Sequence, residues 1–404
     1  MDMRQIEDAG RRLREVIHQN ETTLNQTFSE MTDADIYLKC ENMQKTGSFK
    51  VRGAYNKLAV LKESGNVPNA VVASSAGNHA QGVAFAATSQ GIPSTIVMPR
   101  SAPIAKVLAT ESYGAKVILH GECYDDAYAR AMEICEEENA VFVHPFNDED
   151  VIAGQGTVGL EILSDVPNVD VVVVPAGGGG LLSGVAYCIK SINPRVKVIG
   201  VQAEGANAIV QSFYNGDGKL VETADVRTIA DGIAVKAPGN ITVDLIRGYV
   251  DEMVTVSDDD IAATILLLME RCKMVVEPAG AASLAAVLNQ RIDTKGKKIA
   301  CVLSGGNIDV SFIHRIIEKG LVKRGRQIKL RSVLNDAPGS LEKYAGLVSD
   351  CGANIIKVQY DRVDASLRMD QVILEVTCEV SGPEQGQEVV KCLDKQGFPT
   401  RLQS

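Results

Sequence analysis

The sequence predicts an α/β protein with open parallel sheets, followed by a smaller unit at the carboxyl end. Short apolar runs alternate with longer amphipathic stretches over most of the chain, which is the pattern of parallel strands joined by helices. A basic, polar stretch at residues 323–327 interrupts this alternation. The segments after it follow the order strand, helix, strand, strand, helix, strand, which predicts a ferredoxin-like unit.

The predicted strands are short and rich in β-branched residues, as expected where both faces of a parallel sheet are buried. In the first part of the chain they are residues 71–73, 95–98, 116–119, 141–143, 169–174, 197–201 and 298–303. The last part is predicted to contain strands at 328–334, 354–360 and 371–379, helices at 340–350 and after Pro383, and a short final strand.

Lys50 stands at the start of a predicted helix. Thr46-Gly47-Ser48 predicts a turn with Ser48 as the N-cap, and apolar residues recur at helical spacing over 49–61. The positive end of the helix dipole disfavours a second positive charge, so the neutral, nucleophilic amine is easier to form. On local grounds alone, an ordinary solvated lysine is the alternative.

A loop of four glycines, 177–180, lies between the predicted strand 169–174 and a predicted helix at 181–187. Such a turn lets successive backbone N–H groups point at one phosphate, although a flexible linker is the alternative. The dinucleotide fingerprint G-x-G-x-x-G fails, because its last glycine falls on Leu182 or Ser183. A nicotinamide dehydrogenase therefore stays only as an alternative. An amine together with a phosphate-sized glycine turn favours pyridoxal phosphate as the cofactor.

Two further turns also follow predicted strands. The turn Ser75-Ala76-Gly77-Asn78 can bind the carboxylate of an amino-acid substrate through its backbone amides, and Asn78 is predicted to bind the cofactor's ring hydroxyl or to serve as a plain N-cap. Ser304-Gly305-Gly306-Asn307 follows strand 298–303. Because the carboxyl ends of parallel strands line one crevice, Ser75, Gly177 and Ser304 are expected to converge.

With these motifs, residues 20–320 resemble the fold-type II pyridoxal phosphate enzymes (tryptophan synthase β-like, with two α/β subdomains), most closely the threonine dehydratases and their serine dehydratase and serine racemase relatives. The resemblance implies that Lys50 and Ser304 are catalytic, with Lys50 bonded to the cofactor and acting as the Cα base. It implies substrate binding by Ser75, Ala76, Gly77 and Asn78. The implied cofactor contacts are Phe49, Lys50, Asn78, Gly177, Gly178, Gly179, Gly180, Leu181, Glu277 and Ser304.

The implied activity is an L-threonine ammonia-lyase that forms 2-oxobutanoate and ammonia and also accepts L-serine. Val51-Arg52-Gly53 resembles the dehydratases, and Ala76 replaces the second serine of the racemases, so racemisation is expected to be minor. Gln202 and Ala208 stand where the racemases bind a divalent ion, so no metal site is predicted. A serine dehydratase or racemase as the main role, and a non-catalytic amino-acid sensor, stay as alternatives.

The carboxyl-terminal unit resembles an ACT domain, an amino-acid-sensing module, through Asn335-Asp336-Ala337-Pro338-Gly339 and Gly352-Ala353-Asn354-Ile355. The predicted domains are a catalytic one over 1–322, with a smaller subdomain at roughly 50–145, and an ACT-like one over 326–404. The resemblance implies an amino-acid effector, although a role in dimerisation alone is the alternative.

Composition narrows the class of protein. The chain of 404 residues has a formal charge of −10 and a pI near 5.2, without a basic stripe, so nucleic acid is not expected as a partner. No apolar run is long enough for a membrane span, and no signal peptide is recognised. Nine cysteines, without a C-x-x-C pair and mostly inside apolar segments, indicate buried, reduced thiols. A cytoplasmic homodimer or homotetramer is expected.

Overall fold

The computed structural model describes residues 1–216, 218–364 and 367–403 and divides into two compact units, Met1–Ile308 and Asp309–Ser404. Within the described residues, the first unit contains one sheet with strand order β1-β2-β10-β7-β8-β9 and a second with order β5-β4-β3-β6. These strands are β1 (Thr22–Leu24), β2 (Asp35–Cys40), β3 (Val71–Ser74), β4 (Ser94–Met98), β5 (Lys116–Leu119), β6 (Val141–Phe142), β7 (Val171–Pro175), β8 (Lys197–Ala203), β9 (Glu252–Val256) and β10 (Lys298–Leu303).

Helices connect these strands, as the alternating pattern predicts. They are α1 (Met3–Leu13), α2 (Gln26–Thr32), α3 (Lys50–Glu63), α4 (Asn78–Gln90), α5 (Ile104–Ser112), α6 (Tyr124–Glu138), α7 (Glu149–Asp165), α8 (Gly180–Ile192), α9 (Ala208–Tyr214), α10 (Asn240–Tyr249), α11 (Asp258–Leu267) and α12 (Pro278–Leu288). Apolar side chains of β7, β8 and β10 pack with those of α7, α8 and α10 into one core cluster, which fixes the strand ends that carry the glycine loop and Ser304.

The predicted strands of this unit all form, but β7 begins at Val171 because Val169 closes a turn with Val166 (N···O 3.1 Å). Three strands, β1, β2 and β9, were not predicted; β1 has only 3 residues. The prediction of purely parallel sheets is wrong for the larger sheet, because β1 pairs antiparallel with β2. The smaller sheet is parallel throughout.

The second unit begins with a helix and continues in the predicted order. Its elements are α13 (Val310–Lys323), β11 (Gln327–Asn335), α14 (Ser340–Asp350), β12 (Asn354–Asp361), β13 (Gln371–Glu379), α15 (Pro383–Lys395) and β14 (Thr400–Gln403). The sheet is antiparallel with order β12-β13-β11-β14, which is the ferredoxin-like topology. Contacts group α13 with this unit, whereas the predicted domain boundary lies at 322–326.

The structure also bears on membrane spanning and on the burial of the cysteines. Among the described residues, no helix combines the length and apolar character that crossing a membrane requires. All nine cysteines are free thiols, but only four are buried, and Cys123 is exposed. The prediction that the cysteines are mostly buried is therefore wrong.

Candidate active site

Lys50 is the first residue of α3, as predicted, but the helix start differs from the prediction. The N-cap is Phe49, which has helical backbone angles and no side-chain cap hydrogen bond. Ser48, the predicted N-cap, is extended (φ −164°, ψ 163°) and forms an isolated β-bridge with Gly305. The prediction is wrong because pairing with a distant segment, rather than local capping, determines the conformation of Ser48.

The lysine loop is held directly against the serine loop. Phe49 N–H donates to the Ser304 carbonyl (3.2 Å), and Gly306 N–H donates to the Gly47 carbonyl (2.9 Å). Gly47 has φ +72°, and a Cβ there would lie 2.4 Å from Oδ1 of Asn307, so a side chain is excluded. Lys50 and Ser304 are thereby brought together from opposite ends of the first unit.

The amine of Lys50 is desolvated, although the residue as a whole is only partly buried. Its Nζ donates a hydrogen bond to the Pro145 carbonyl (2.8 Å) and lies 5.3 Å from the centroid of the Phe49 ring. Burial lowers the pKa of Lys50 to about 8, against a smaller opposing effect of Glu277. A neutral amine was predicted from the helix dipole, and burial is a further cause that was not predicted.

The turn after β6 joins the lysine to the glycine loop. A Cβ at Gly178 would lie 2.3 Å from the Phe146 ring, so that ring packs directly on the loop. His144 Nδ1 accepts the N–H groups of Phe146 (3.2 Å) and Asn147 (2.8 Å), and burial lowers the pKa of His144 to about 4. A neutral His144 thus fixes the turn that offers the Pro145 carbonyl to Lys50. These residues were not predicted; their position after a predicted strand was the available signal.

The glycine loop leaves its backbone donors open. Gly179, with φ +94°, is the N-cap of α8. The carbonyls of Gly177 and Gly178 accept from Gln202 Nε2 (3.4 Å) and Thr242 Oγ1 (2.7 Å). Within 1–216, 218–364 and 367–403, no residue accepts a hydrogen bond from the N–H groups of 177–181. These groups suit an anion at a helix N-terminus.

A chain of hydrogen bonds connects the remaining motifs. Asn307 Nδ2 donates to Asn78 Oδ1 (2.8 Å), and Asn78 Nδ2 donates to Glu277 Oε1 (2.7 Å). Burial raises the pKa of Glu277 to about 7, although the Asn78 hydrogen bond opposes this. Asn78 is the first helical residue of α4 and Gly77 is the N-cap, so the plain N-cap alternative for Asn78 is wrong.

The turn after β3 reaches the site from the other sheet. β3 belongs to the smaller sheet, whereas β7 and β10 are neighbours in the larger one. The expectation of one crevice along a single sheet is therefore wrong for Ser75, and the site lies between two sheets. Gly77 N–H donates to Ser75 Oγ (3.2 Å). The Ala76 and Asn78 N–H groups have no acceptor among the described residues and can receive a carboxylate.

These residues fit pyridoxal phosphate. The open N–H groups of 177–181 suit its phosphate, and the amine of Lys50 suits its aldehyde. Ser304 is 3% exposed. The buried hydroxyls of Thr46 and Ser48 have no hydrogen-bond partner in the described part of the chain, which is rare unless a polar ligand belongs nearby. The described residues contain no group of three or more side chains suited to a metal ion.

The raised pKa of Glu277 predicts a pH-dependent stability. An unfolded glutamate releases its proton near pH 4.5, whereas folded Glu277 keeps it to about pH 7. Stability conferred by the protonated carboxyl is therefore lost as pH rises through this window and is constant above it. We expect the Tm advantage of the cofactor-free wild type over Glu277→Gln to shrink between about pH 5 and pH 8. Glu111→Gln, which removes an exposed carboxylate, is the control. A Tm difference between wild type and Glu277→Gln that stays constant over this pH range would contradict the burial of Glu277.

Comparison with known proteins gives one family. Residues 17–305 match the family described as pyridoxal-phosphate dependent enzyme. The chain is 51% identical over 397 residues to an L-threonine ammonia-lyase of Thermotoga maritima, covering 98% of each. The processed form of threonine deaminase isoform 2 from Solanum lycopersicum is a structural neighbour (TM-score 0.74, 34% identity, 78% of this chain and 87% of that one). Maize serine racemase is another (TM-score 0.74, 36% identity, 80% and 98%).

Proposed function

This chain belongs to the pyridoxal-phosphate dependent enzymes and is a lyase of that family, and from that premise we propose that it converts L-threonine to 2-oxobutanoate and ammonia. The observation that carries the proposal is the shielded amine of Lys50, with a pKa of about 8, beside the open N–H groups of the glycine loop. Its relative in Thermotoga maritima carries the same activity in its name. L-serine, which lacks one methyl group, is proposed as a second substrate.

The proposed cofactor site divides the binding among three loops. The backbone of 177–181 would hold the phosphate, Lys50 would hold the aldehyde end, and Ser304 would hydrogen-bond the ring nitrogen. Asn78 and Glu277 would lie near the ring edge; Asn78 donates one amide N–H to Glu277, and its second amide N–H has no acceptor among the described residues. The turn 75–78 receives the substrate carboxylate.

The chemistry proposed for Lys50 follows from its lowered pKa. Lys50 would take the Cα proton as a base, since an amine with a pKa of about 8 is partly neutral near pH 7. Pyridoxal phosphate, when bound, supplies a conjugated ring that takes up the electron pair of the broken Cα–H bond. The β-hydroxyl leaves as water, and hydrolysis of the released enamine consumes one water and gives ammonia. L-threonine is thus converted to 2-oxobutanoate and ammonia without net consumption of water.

Serine racemisation is the second candidate, because maize serine racemase is a structural neighbour. A racemase needs an acid or base on each face of Cα. Lys50 can serve one face, but Ala76 offers only a methyl group at the position implied for the other. We expect L-serine to give pyruvate with little D-serine, and a D-serine yield comparable with pyruvate would favour the racemase.

The second unit is proposed to be an ACT-like domain that binds an amino-acid effector. Support comes from its ferredoxin-like topology and from its turn at 336–339, which precedes α14. Isoleucine, valine, serine and threonine are the ligands to test. An effector should change the activity or raise the Tm of a Lys50→Ala variant. A homodimer or homotetramer in the cytoplasm stays a prediction.

The proposed activity is tested with the purified protein and pyridoxal phosphate. L-threonine should give equal amounts of 2-oxobutanoate and ammonia, measured separately. L-serine should give pyruvate, and the ratio of the two kcat/KM values measures the preference. A holoprotein with its visible absorbance band that produces neither 2-oxo acid would contradict the proposal and favour the sensor.

A further inference from the structure

Arg52 lies two residues after Lys50 in α3 and is fully buried. Its guanidinium binds Glu41 through Nε (2.8 Å) and Nη2 (2.7 Å). It binds Glu161 through Nη1 (2.6 Å) and Nη2 (2.8 Å), and Thr157 Oγ1 through Nη1 (3.0 Å). A guanidinium has five N–H donors, so each donor of Arg52 has an acceptor.

The two carboxylates of Arg52 come from different parts of the first unit. Glu41, also fully buried, follows the last residue of β2 and begins the segment 41–49 that leads to Lys50. Glu161 lies in α7 and also pairs with buried Lys39 (2.7 Å). We call these residues, Lys39, Glu41, Arg52, Thr157 and Glu161, the Arg52 cluster. Arg52 thus ties both the start of the lysine loop and α7 to the first turn of α3.

The segment 41–49 makes the backbone hydrogen bonds that hold Lys50 beside Ser304. Its far end is attached at Gly47, Ser48 and Phe49, and its near end at Glu41 through Arg52. Closing a flexible loop at both ends removes most of its conformational freedom. Asn42 and Gln44 also attach this segment, to Val275 and His18, but the Arg52 cluster is the attachment that joins its start directly to the first turn of α3.

We propose that Arg52 is a positioning residue that fixes the Lys50 amine for the reaction; this inference rests on the proposed role of Lys50. Planar, bidentate contact with two carboxylates defines both the position and the rotation of the first turn of α3. A lysine at this position would be a single point charge with three donors and could not hold both carboxylates in plane. Glu41 contributes equally, because it anchors the loop itself.

The test compares Glu41→Gln and Arg52→Lys with Lys57→Met. Lys57 also lies in α3 and pairs with Asp148 (2.8 Å) and Asp150 (3.0 Å), but it contacts neither carboxylate of the Arg52 cluster. Each variant loses a partly or fully buried ion pair, so Tm of the cofactor-free protein should fall in all three. Glu41→Gln conserves shape and keeps the test usable if Arg52→Lys does not fold.

In the holoenzyme we expect kcat of Glu41→Gln and Arg52→Lys to fall roughly 10- to 100-fold, the usual effect of a misplaced reacting group, with KM nearly unchanged. Lys57→Met should keep the wild-type kcat. Equal kcat for Glu41→Gln and Lys57→Met, at equal loss of Tm, would overturn the inference.

A second readout needs neither cofactor nor activity. The pH dependence of reductive methylation of Lys50, located by mass spectrometry in the cofactor-free chain, should have its midpoint near 8 in the wild type and Lys57→Met. In Glu41→Gln and Arg52→Lys a less shielded amine should move that midpoint upward, and an unmoved midpoint would overturn the inference. If the wild type shows the midpoint near 8 but forms no 2-oxo acid, the proposed function is contradicted. The positioning role of Arg52 is then decided by the methylation midpoints of Glu41→Gln and Arg52→Lys.

Discussion

Replacement of Lys50 by alanine is expected to abolish the visible absorbance band of the bound cofactor and to reduce 2-oxobutanoate formation by at least the roughly 10²- to 10⁴-fold typical of a lost general base. The amine of Lys50, which donates to the Pro145 carbonyl, is the group proposed to meet the aldehyde. Absorbance spectra of the reconstituted protein and a 2-oxo acid assay measure the two effects. Retention of either the absorbance band or 2-oxobutanoate formation would show that Lys50 is not the lysine that bonds to the cofactor.

Lys45→Ala is the matched control for that variant. Lys45 lies in the same loop, but its Nζ faces the Phe85 ring, 5.5 Å from the centroid. Its loss should leave both the absorbance band and turnover close to wild type. A loss of the band in Lys45→Ala as well would indicate a general collapse of the loop and would invalidate the assignment to Lys50.

Gly178→Ala is expected to weaken cofactor binding roughly 10- to 100-fold, since losing a hydrogen bond to a charged group costs about 1.5–3 kcal/mol. The added Cβ would lie 2.3 Å from the Phe146 ring, in the turn that also carries the Pro145 carbonyl. Either the loop or that turn must move, which misaligns the N–H groups of 177–181. The apparent Kd for pyridoxal phosphate, from titration of the cofactor-free protein, measures the effect.

Gly248→Ala is the control for the glycine loop. Gly248 lies in α10, and a Cβ there meets no atom within 4 Å. Its Kd for the cofactor should equal that of the wild type. An unchanged Kd in Gly178→Ala would show that the glycine loop does not bind the phosphate.

Patterns that depend on local sequence predicted most of the fold. β-branched runs gave each predicted strand of the first unit, and the order of elements after residue 327 was correct. β1 was missed because it is very short. The alternation of polar and apolar residues in β2, Asp35–Cys40, is typical of a strand, but β2 lacks the β-branched run that marks the predicted strands. The antiparallel pairing of β1 depends on its partner strand, which local periodicity does not specify.

The site was predictable as separate motifs but not as an arrangement. Lys50 was recognised from a turn before a predicted helix, and Ser304 and the glycine loop were recognised from turn residues after predicted strands. Ser48 was misassigned because its partner, Gly305, is far away in sequence. The hydrogen-bond partner of Lys50 could not be predicted either, because Pro145 contributes only a backbone carbonyl, which any residue could offer.

The ion-pair partners of Arg52 could not be predicted from the sequence either. Arg52 was read only as part of the motif after Lys50, yet it joins Glu41 and Glu161 in a buried network. Nothing in the pattern of α3 separates a buried arginine from an exposed one until its acceptors are known. The lowered pKa of Lys50 arises mainly from burial, a tertiary property that the sequence pattern does not specify.

The central claim is that Lys50, beside the glycine loop, is the lysine that bonds to pyridoxal phosphate. The most direct test is borohydride reduction of the holoprotein, followed by protease digestion and mass spectrometry. We expect one modified peptide, with the reduced cofactor on Lys50. Attachment to any other lysine, with Lys50 unmodified, would contradict it.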